Sequence, residues 1–211
     1  MISEKWNEKF DVGSLQNHLN QYISCLEPVN LSYGFGGWTL LSANGTYKSG
    51  WNHENFFGNQ FDEYDKFVEV YKTNKVKPSW EHVIPTQICH GYMKVVIEQI
   101  NSFGLFPHRA RIIRLRAHSA SDWHRDAPDD IYKVRLHIPI VTNRFCFFEV
   151  DDEAEHFSAD GSAYFVFVNK IHRVVNWGNQ DRFHLVMDVK DTLGVTNYHK
   201  YDEFFKKKSQ V

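Results

Sequence analysis

Two short patterns in the second half of the chain bring together side chains that can do chemistry. His124-Arg125-Asp126 sets an imidazole and a carboxylate two residues apart, and on an extended strand residues i and i+2 project to the same side. Such a pair supplies two ligands of the facial triad that holds a non-haem Fe(II) and leaves its other coordination positions open. In a chain with 12 histidines a lone His-x-Asp triplet is expected by chance, so it carries weight only with a third ligand in context. His172 is the candidate. It follows the apolar run 163–168 at the point where a strand gives way to a turn, and there a side chain can point into the mouth of a barrel. Two neutral imidazoles and one carboxylate would leave a divalent metal with residual positive charge for an anionic chelate.

The second pattern is a repeated Arg-x-His. In 133–140, Val134, Leu136, Ile138 and Ile140 alternate with Arg135 and His137, and 182–189 repeats the arrangement with Arg182 and His184 on one face. On a single strand this polar side reads as a solvated edge, whereas inside a barrel the same face lines a ligand cavity. Two Arg-x-His pairs suit a dianion, because guanidinium pairs bidentately with carboxylate and imidazole adds a donor. Arg182, on the strand after His172, would take the distal carboxylate of a metal-bound chelate.

The elements that must hold these residues fall into two textures. Leu15, Leu19, Tyr22, Ile23 and Leu26 recur at helical spacing behind Ser14, which predicts a helix over 14–26 ended by Pro28. The glycine-rich stretch 33–50 reads as turns around a short strand near Trp38, the aromatics between Phe61 and Tyr71 as a short helix, and 86–100 as a longer helix opened by Thr86. Beyond Arg109 come short β-branched and aromatic runs at 111–116, 133–142, 145–150, 163–168 and 182–189. Gly, Asp and Asn at the breaks, with no helices between, favour a sandwich or jelly-roll barrel over βαβ units. The class is α+β, mainly β. One domain is expected over 1–211: a helical, turn-rich buttress at 1–104, a β-barrel catalytic core at 105–190 and a tail at 191–211.

Composition narrows the partners. A net charge of −2 from 24 basic and 26 acidic residues provides no global field for nucleic acid or anionic membrane. No apolar run approaches the ~20 residues of a membrane span, and the first residues lack a signal-peptide core, so a soluble, cytoplasmic chain is expected. Cys25, Cys89 and Cys146 are odd in number and widely spaced, which argues for buried small hydrophobes rather than a disulfide framework or zinc knuckle.

Taken in order, His124-x-Asp126, Arg135-Leu136-His137-Ile138-Pro139-Ile140-x-Thr142-Asn143, Gly161-x-x-Tyr164, His172-x-Val174-x-Asn176 and Arg182-x-His184-Leu185-Val186-x-Asp188 form a motif set. It resembles the aspartyl/asparaginyl β-hydroxylase family of Fe(II)/2-oxoglutarate-dependent oxygenases, in the bacterial-type branch that includes proline cis-hydroxylases. The likeness spans roughly 85–190, with a further element at Gly37-Trp38-x-Leu40-x-Ser42-x-x-Gly45. It implies a double-stranded β-helix of the jelly-roll, cupin-like kind, with Fe(II) on His124, Asp126 and His172. It also implies 2-oxoglutarate with its far carboxylate on Arg182, and Arg135 and His137 lining the cosubstrate pocket, with His184 beside them. The implied reaction uses dioxygen to hydroxylate an unactivated C–H bond of an amino acid, or of an aspartyl, asparaginyl or prolyl side chain, releasing succinate and CO2. Animal members carry Gly where this chain has Asp126, and an N-terminal anchor and helical repeat, so their protein substrate does not transfer. Relatives also have a Pro-Gly turn where this chain reads His118-Ser119-Ala120-Ser121-Asp122-Trp123. Two alternatives use the same barrel: a cupin-type isomerase or epimerase with His118, His124 and His172 as ligands, and a non-catalytic jelly-roll binding domain.

Overall fold

In the strand Val134–Val141, Leu136, Ile138 and Ile140 are buried on one side, and Arg135 and His137 are buried on the other. Its alternation therefore separates two interiors, not a core from solvent. The computed structural model describes residues 2–51, 81–124, 126, 134–168 and 170–191. In chain order its strands are β1 (Ser3–Lys9), β2 (Val29–Asn30), β3 (Phe35–Thr39), β4 (Leu41–Ser42), β5 (Ile84–Pro85), β6 (Leu105–Leu115), β7 (Ser119–Ala120) and β8 (Val134–Val141). They continue with β9 (Cys146–Val150), β10 (Glu153–Glu155), β11 (Ser162–Phe167), β12 (His172–Asn176) and β13 (Arg182–Asp191). Helix α1 spans Val12–His18 and runs into a π-helical turn at Leu19–Ile23, and α2 spans Gly91–Ser102.

Strands β6 to β13 form one antiparallel ribbon rolled on itself. β6 pairs with β13, β7 with β12, β8 with β11 and β9 with β10. Pairing of β8 with β13 and of β9 with β12 closes the roll. The larger sheet runs β1-β11-β8-β13-β6-β3-β2 and the smaller β10-β9-β12-β7. This is the double-stranded β-helix the sequence resemblance implies.

On the outer face of the larger sheet, Ile112, Leu136, Ile138, Phe165 and Leu185 meet Leu15, Leu19 and Ile23 of the first helical segment and Met93, Val96 and Ile100 of α2. The expected helical buttress is thus present. Between the sheets, Leu115, Tyr164 and Val166 pack against Phe148, Val150 and Val174. That second interior is apolar at one flank and lined by arginine and histidine elsewhere, and the charged part holds the candidate site.

Several local expectations give way to non-local pairing. The segment 1–104 supplies β1, β2 and β3 to the larger sheet as well as helices. β1 escapes sequence reading because Glu4, Lys5, Glu8 and Lys9 hide its one deeply packed residue, Trp6, whose ring meets Phe165 and Phe103 at centroid distances of 5.5 and 5.2 Å. Asp11, not Ser14, caps α1: its carboxylate accepts from the Ser14 backbone N–H at 3.1 Å and from Ser14 Oγ at 2.6 Å. Thr86 does not open α2, since its N–H and hydroxyl are spent on Leu40 O (2.9 Å) and Thr39 O (2.7 Å), and the helix starts at Gly91 instead. β6 begins before the expected 111 despite Pro107, and β12 is a strand where a turn was expected. The helix expected between Phe61 and Tyr71 and the tail after 191 lie outside the described residues. Cys89 and Cys146 are buried as expected, while Cys25 is exposed. Among the described residues no helix is long and apolar enough to cross a membrane.

Candidate active site

His124 and His172 form a two-residue antiparallel bridge, each donating its backbone N–H to the other's carbonyl at 2.9 and 2.8 Å. The bridge sets the two imidazoles side by side, with ring centroids 4.5 Å apart. Asp126 is brought in by its own N–H, which donates to Val168 O at 3.1 Å. The His172 Nε2 then lies 3.6 Å from Asp126 Oδ2 and the His124 Nε2 4.0 Å from Oδ1, and the ligand atoms all fall within 4.8 Å of one another. Each Nδ1 donates its proton to a main-chain carbonyl, His124 to Asp122 O and His172 to Lys170 O, both at 2.8 Å. That fixes the tautomer: the lone pairs sit on the Nε2 atoms facing Asp126, as a metal ligand requires. Burial also lowers the pKa of His124, which favours the neutral, coordinating form. Two imidazoles and a carboxylate on one side, with Phe148 stacked on His172 at 4.7 Å, fit a non-haem Fe(II).

A chain of charges runs from Asp126 into the larger sheet. Arg135 Nη1 pairs with Asp126 Oδ2, its Nε donates to Asp188 Oδ1 at 2.9 Å, and Arg109 Nη2 pairs with Asp188 Oδ2 at 2.8 Å. Burial alone would raise the Asp126 carboxyl, but Arg135 and the two histidines outweigh it and hold it well below the usual carboxylate range. Asp188 is likewise held low against its burial by Arg109 and then Arg135. Arg135, expected to line the cosubstrate pocket, is therefore already committed to two carboxylates. The arrangement depends on a register shift between Val186 and Asp188, opposite Arg109 in a left-handed conformation (φ 45°).

Arg182 has the opposite character. It is buried, and its Nη2 donates to the Nδ1 of His184 at 2.8 Å. Among the described residues it meets no carboxylate. Since His184 accepts at Nδ1, its proton is on Nε2, and that nitrogen is buried without a partner, as are both ring nitrogens of His137. The two rings stand edge to face with centroids 5.9 Å apart. Burial, followed by the charge of Arg182, pushes both imidazoles well below their ordinary range and keeps them neutral. One buried guanidinium and three buried, unsatisfied ring nitrogens suit the carboxylate end of a dianionic cosubstrate.

The structure thus brings His124, Asp126 and His172 together, groups Arg182 with His184 and His137, and links Arg135 to the metal side. His118 is exposed, in a left-handed conformation (φ 54°), and is absent from the ligand group formed by the described residues, so the cupin-type set is not assembled. Arg173 turns outward to Glu149 (2.6 Å) and over the Trp123 ring. His156 is half-buried, its Nδ1–H donating to Cys146 O at 2.9 Å. Arg109 and Arg111 were missed, although their alternation with Ala110 and Ile112 is the same signal that marked Arg135 and Arg182.

The profile of the family described as aspartyl/asparaginyl beta-hydroxylase matches residues 66–192 of the chain. Among solved structures, one similar to it is the crystal structure of an oxidoreductase of the 2OG-Fe(II) oxygenase family from Burkholderia pseudomallei. The two are 12% identical, the likeness covers 86% of this chain and 81% of that chain, and the TM-score is 0.48. No curated protein matches.

Proposed function

Because the chain belongs to the aspartyl/asparaginyl β-hydroxylase family, we propose that it is an Fe(II)- and 2-oxoglutarate-dependent dioxygenase. Its substrate is an amino acid, free or as an aspartyl, asparaginyl or prolyl side chain, hydroxylated at an unactivated C–H bond. The observation that carries this reading is the pairing of a tautomer-locked His/Asp/His group with a separate buried guanidinium that has no carboxylate of its own among the described residues. When bound, iron and 2-oxoglutarate supply the chemistry, consuming dioxygen and releasing succinate and CO2 as one oxygen enters the substrate.

The protein's own groups set the conditions for it. His124, Asp126 and His172 would hold the metal, and three protein ligands would leave coordination positions for cosubstrate and dioxygen. Arg135 fixes the Asp126 carboxylate and keeps it ionised. Arg182 would hold the far carboxylate of 2-oxoglutarate, and the buried, unpartnered ring N–H groups of His137 and His184 would be its further donors. Phe148 and Phe157 flank the His137 ring and exclude water from that end.

The test is coupled turnover. Free amino acids and short Asp-, Asn- and Pro-containing peptides, supplied with Fe(II), 2-oxoglutarate and oxygen, should include one that releases succinate in step with a product heavier by one oxygen. Separately, His172→Ala and Asp126→Ala should weaken Fe(II) binding in a metal titration. Turnover that proceeds without oxygen or without 2-oxoglutarate would overturn the reading.

A further inference from the structure

The inner face of the larger sheet holds a second guanidinium without a carboxylate among the described residues. One row across the sheet reads His137, Val186, Arg111 and Thr39 on neighbouring strands. With strands ~4.8 Å apart, Arg111 stands two strands, roughly 10 Å, from the His137 end of the cosubstrate pocket. Arg111 is buried, its Nε has no hydrogen-bond partner, and among the described residues it makes no ion pair. Its guanidinium lies over the ring of Trp51 at 4.9 Å. Trp51 is buried too, and its Nε1–H is another donor without an acceptor. Gly37 (φ 154°) lies beside the tryptophan: a Cβ there would collide with Ile112 O and stand 3.2 Å from Trp51 Cη2. Two unsatisfied donors, the Arg111 Nε–H and the Trp51 Nε1–H, thus lie close together and suit an acceptor with two oxygens.

Charge points the same way. Among the described residues, the buried charged groups are Arg109, Arg111, Arg135 and Arg182 against Asp126 and Asp188. Iron(II) would add two positive charges and 2-oxoglutarate two negative ones, so the surplus of two arginines persists after both are bound. Arg109 and Arg135 are engaged by Asp188 and Asp126, and Arg182 by the cosubstrate under the reading above, which leaves Arg111. Arg111 is also within electrostatic reach of Arg109, Arg135, Asp188 and Asp126.

We propose that Arg111, stacked on Trp51, is a substrate-specificity residue that binds a carboxylate of the substrate. This rests on the dioxygenase reading, since it takes the cavity's remaining ligand to be the molecule hydroxylated. The carboxylate has two sources, the α-carboxylate of a free amino acid or the side chain of an aspartyl residue.

Anaerobic calorimetric titration of the protein supplied with Fe(II) and 2-oxoglutarate separates them without turnover. The probes are the common free amino acids, their α-amides, and blocked tripeptides centred on Asp or Asn. At least one acid should bind, with its amide ~30-fold weaker or more, and Arg111→Gln should weaken that acid to a similar degree. The affinity for 2-oxoglutarate should stay within about twofold, because the Arg182 pocket is untouched. Trp51→Phe, which keeps the stacked ring and removes Nε1–H, should weaken the same acid by only about 2–10-fold. The melting temperature of Arg111→Gln should not fall, since an unpaired buried charge is being removed. Equal binding of acid and amide, an acid affinity unchanged in Arg111→Gln, or no binding by any probe overturns the subsite. Aerobic succinate release judges the two ideas apart. Arg111-dependent carboxylate binding without succinate sinks the dioxygenase reading alone, and succinate release indifferent to the carboxylate sinks the subsite alone.

Discussion

Replacing Arg182 by methionine should raise the stability of the protein while removing its response to 2-oxoglutarate. The guanidinium is only 4% exposed and donates to His184 Nδ1 at 2.8 Å, with no carboxylate near it among the described residues. Burial pushes its pKa down to about 10 from 12.5, which corresponds to about 3 kcal/mol against the charged form at ~1.4 kcal/mol per pKa unit. Methionine fills a similar volume and removes that term, but it leaves His184 Nδ1 without a donor, at a cost of about 1–2 kcal/mol. The net gain is ~1–2 kcal/mol, or roughly 2–8 °C in melting temperature for a chain of this size. The wild type, in turn, should gain ~2.7 kcal/mol from 2-oxoglutarate at about 100 times its dissociation constant, and the variant close to nothing. Anaerobic thermal scans of the metal-supplied proteins, with and without 2-oxoglutarate at neutral pH, read both terms at once. A variant that melts lower without 2-oxoglutarate would show that Arg182 is a structural residue. Equal stabilisation of both proteins by 2-oxoglutarate would place the cosubstrate elsewhere.

Two further predictions come from the same interior. His137 and His184 stay neutral in the folded protein, with pKa values well below 6.5, whereas in the unfolded chain they take up protons as the pH falls through that value. Their contribution is therefore lost on acidification, each steepening the decline by ~1.4 kcal/mol per pH unit below about 6.5. Denaturant midpoints across that range, compared with His137→Gln, measure the slope, and a flat profile would contradict the buried neutral assignment. Asp188→Asn should destabilise by about 3–5 kcal/mol, because Arg109 and Arg135 lose the carboxylate they share. It should also weaken metal binding, as Arg135 turns its full charge on Asp126. Chemical denaturation and Fe(II) titration check the two halves, and Arg109→Met in the same chain should restore part of the lost stability.

What the sequence made legible was whatever lies within one strand. Alternation in 133–140 and 182–189 separated Leu136, Ile138 and Leu185 from Arg135, His137, Arg182 and His184, and the structure puts these sets on opposite faces of the larger sheet. The i, i+2 spacing of His124 and Asp126 likewise survives as two side chains that converge with His172 on one point. What remained hidden depends on contacts between distant segments. His172 begins a strand, not a turn, because β9 offers it Val150 and the bridge to His124 completes the pairing. Arg135 and Asp188 meet only because β8 and β13 are adjacent and antiparallel, a fact that no local pattern contains. β1 is recognised by β11 and by Phe165 and Phe103, and its own charges disguise it.

The same division explains why polar residues can occupy an interior at all. An inner face carrying Arg109, Arg111, Arg135, Arg182, His137 and His184 cannot be what holds the barrel together, since orphaned buried donors oppose folding. The compensating burial lies on the reverse of the same strands, where Ile112, Leu136, Ile138, Leu185 and Met187 pack under α1 and α2. Each strand therefore stabilises with its odd or even set, and under the proposed function it binds with the other. Substitutions on the two faces should then part cleanly. Ile138→Ala on the helix side should cost about 2–5 kcal/mol with cosubstrate affinity intact. Arg182→Met on the inner side should do the reverse. Denaturant melts and anaerobic 2-oxoglutarate titrations of the two variants measure both quantities. If Ile138→Ala shifted 2-oxoglutarate affinity as strongly as stability, the two faces would be coupled through the backbone, and the separation of binding from folding would fail.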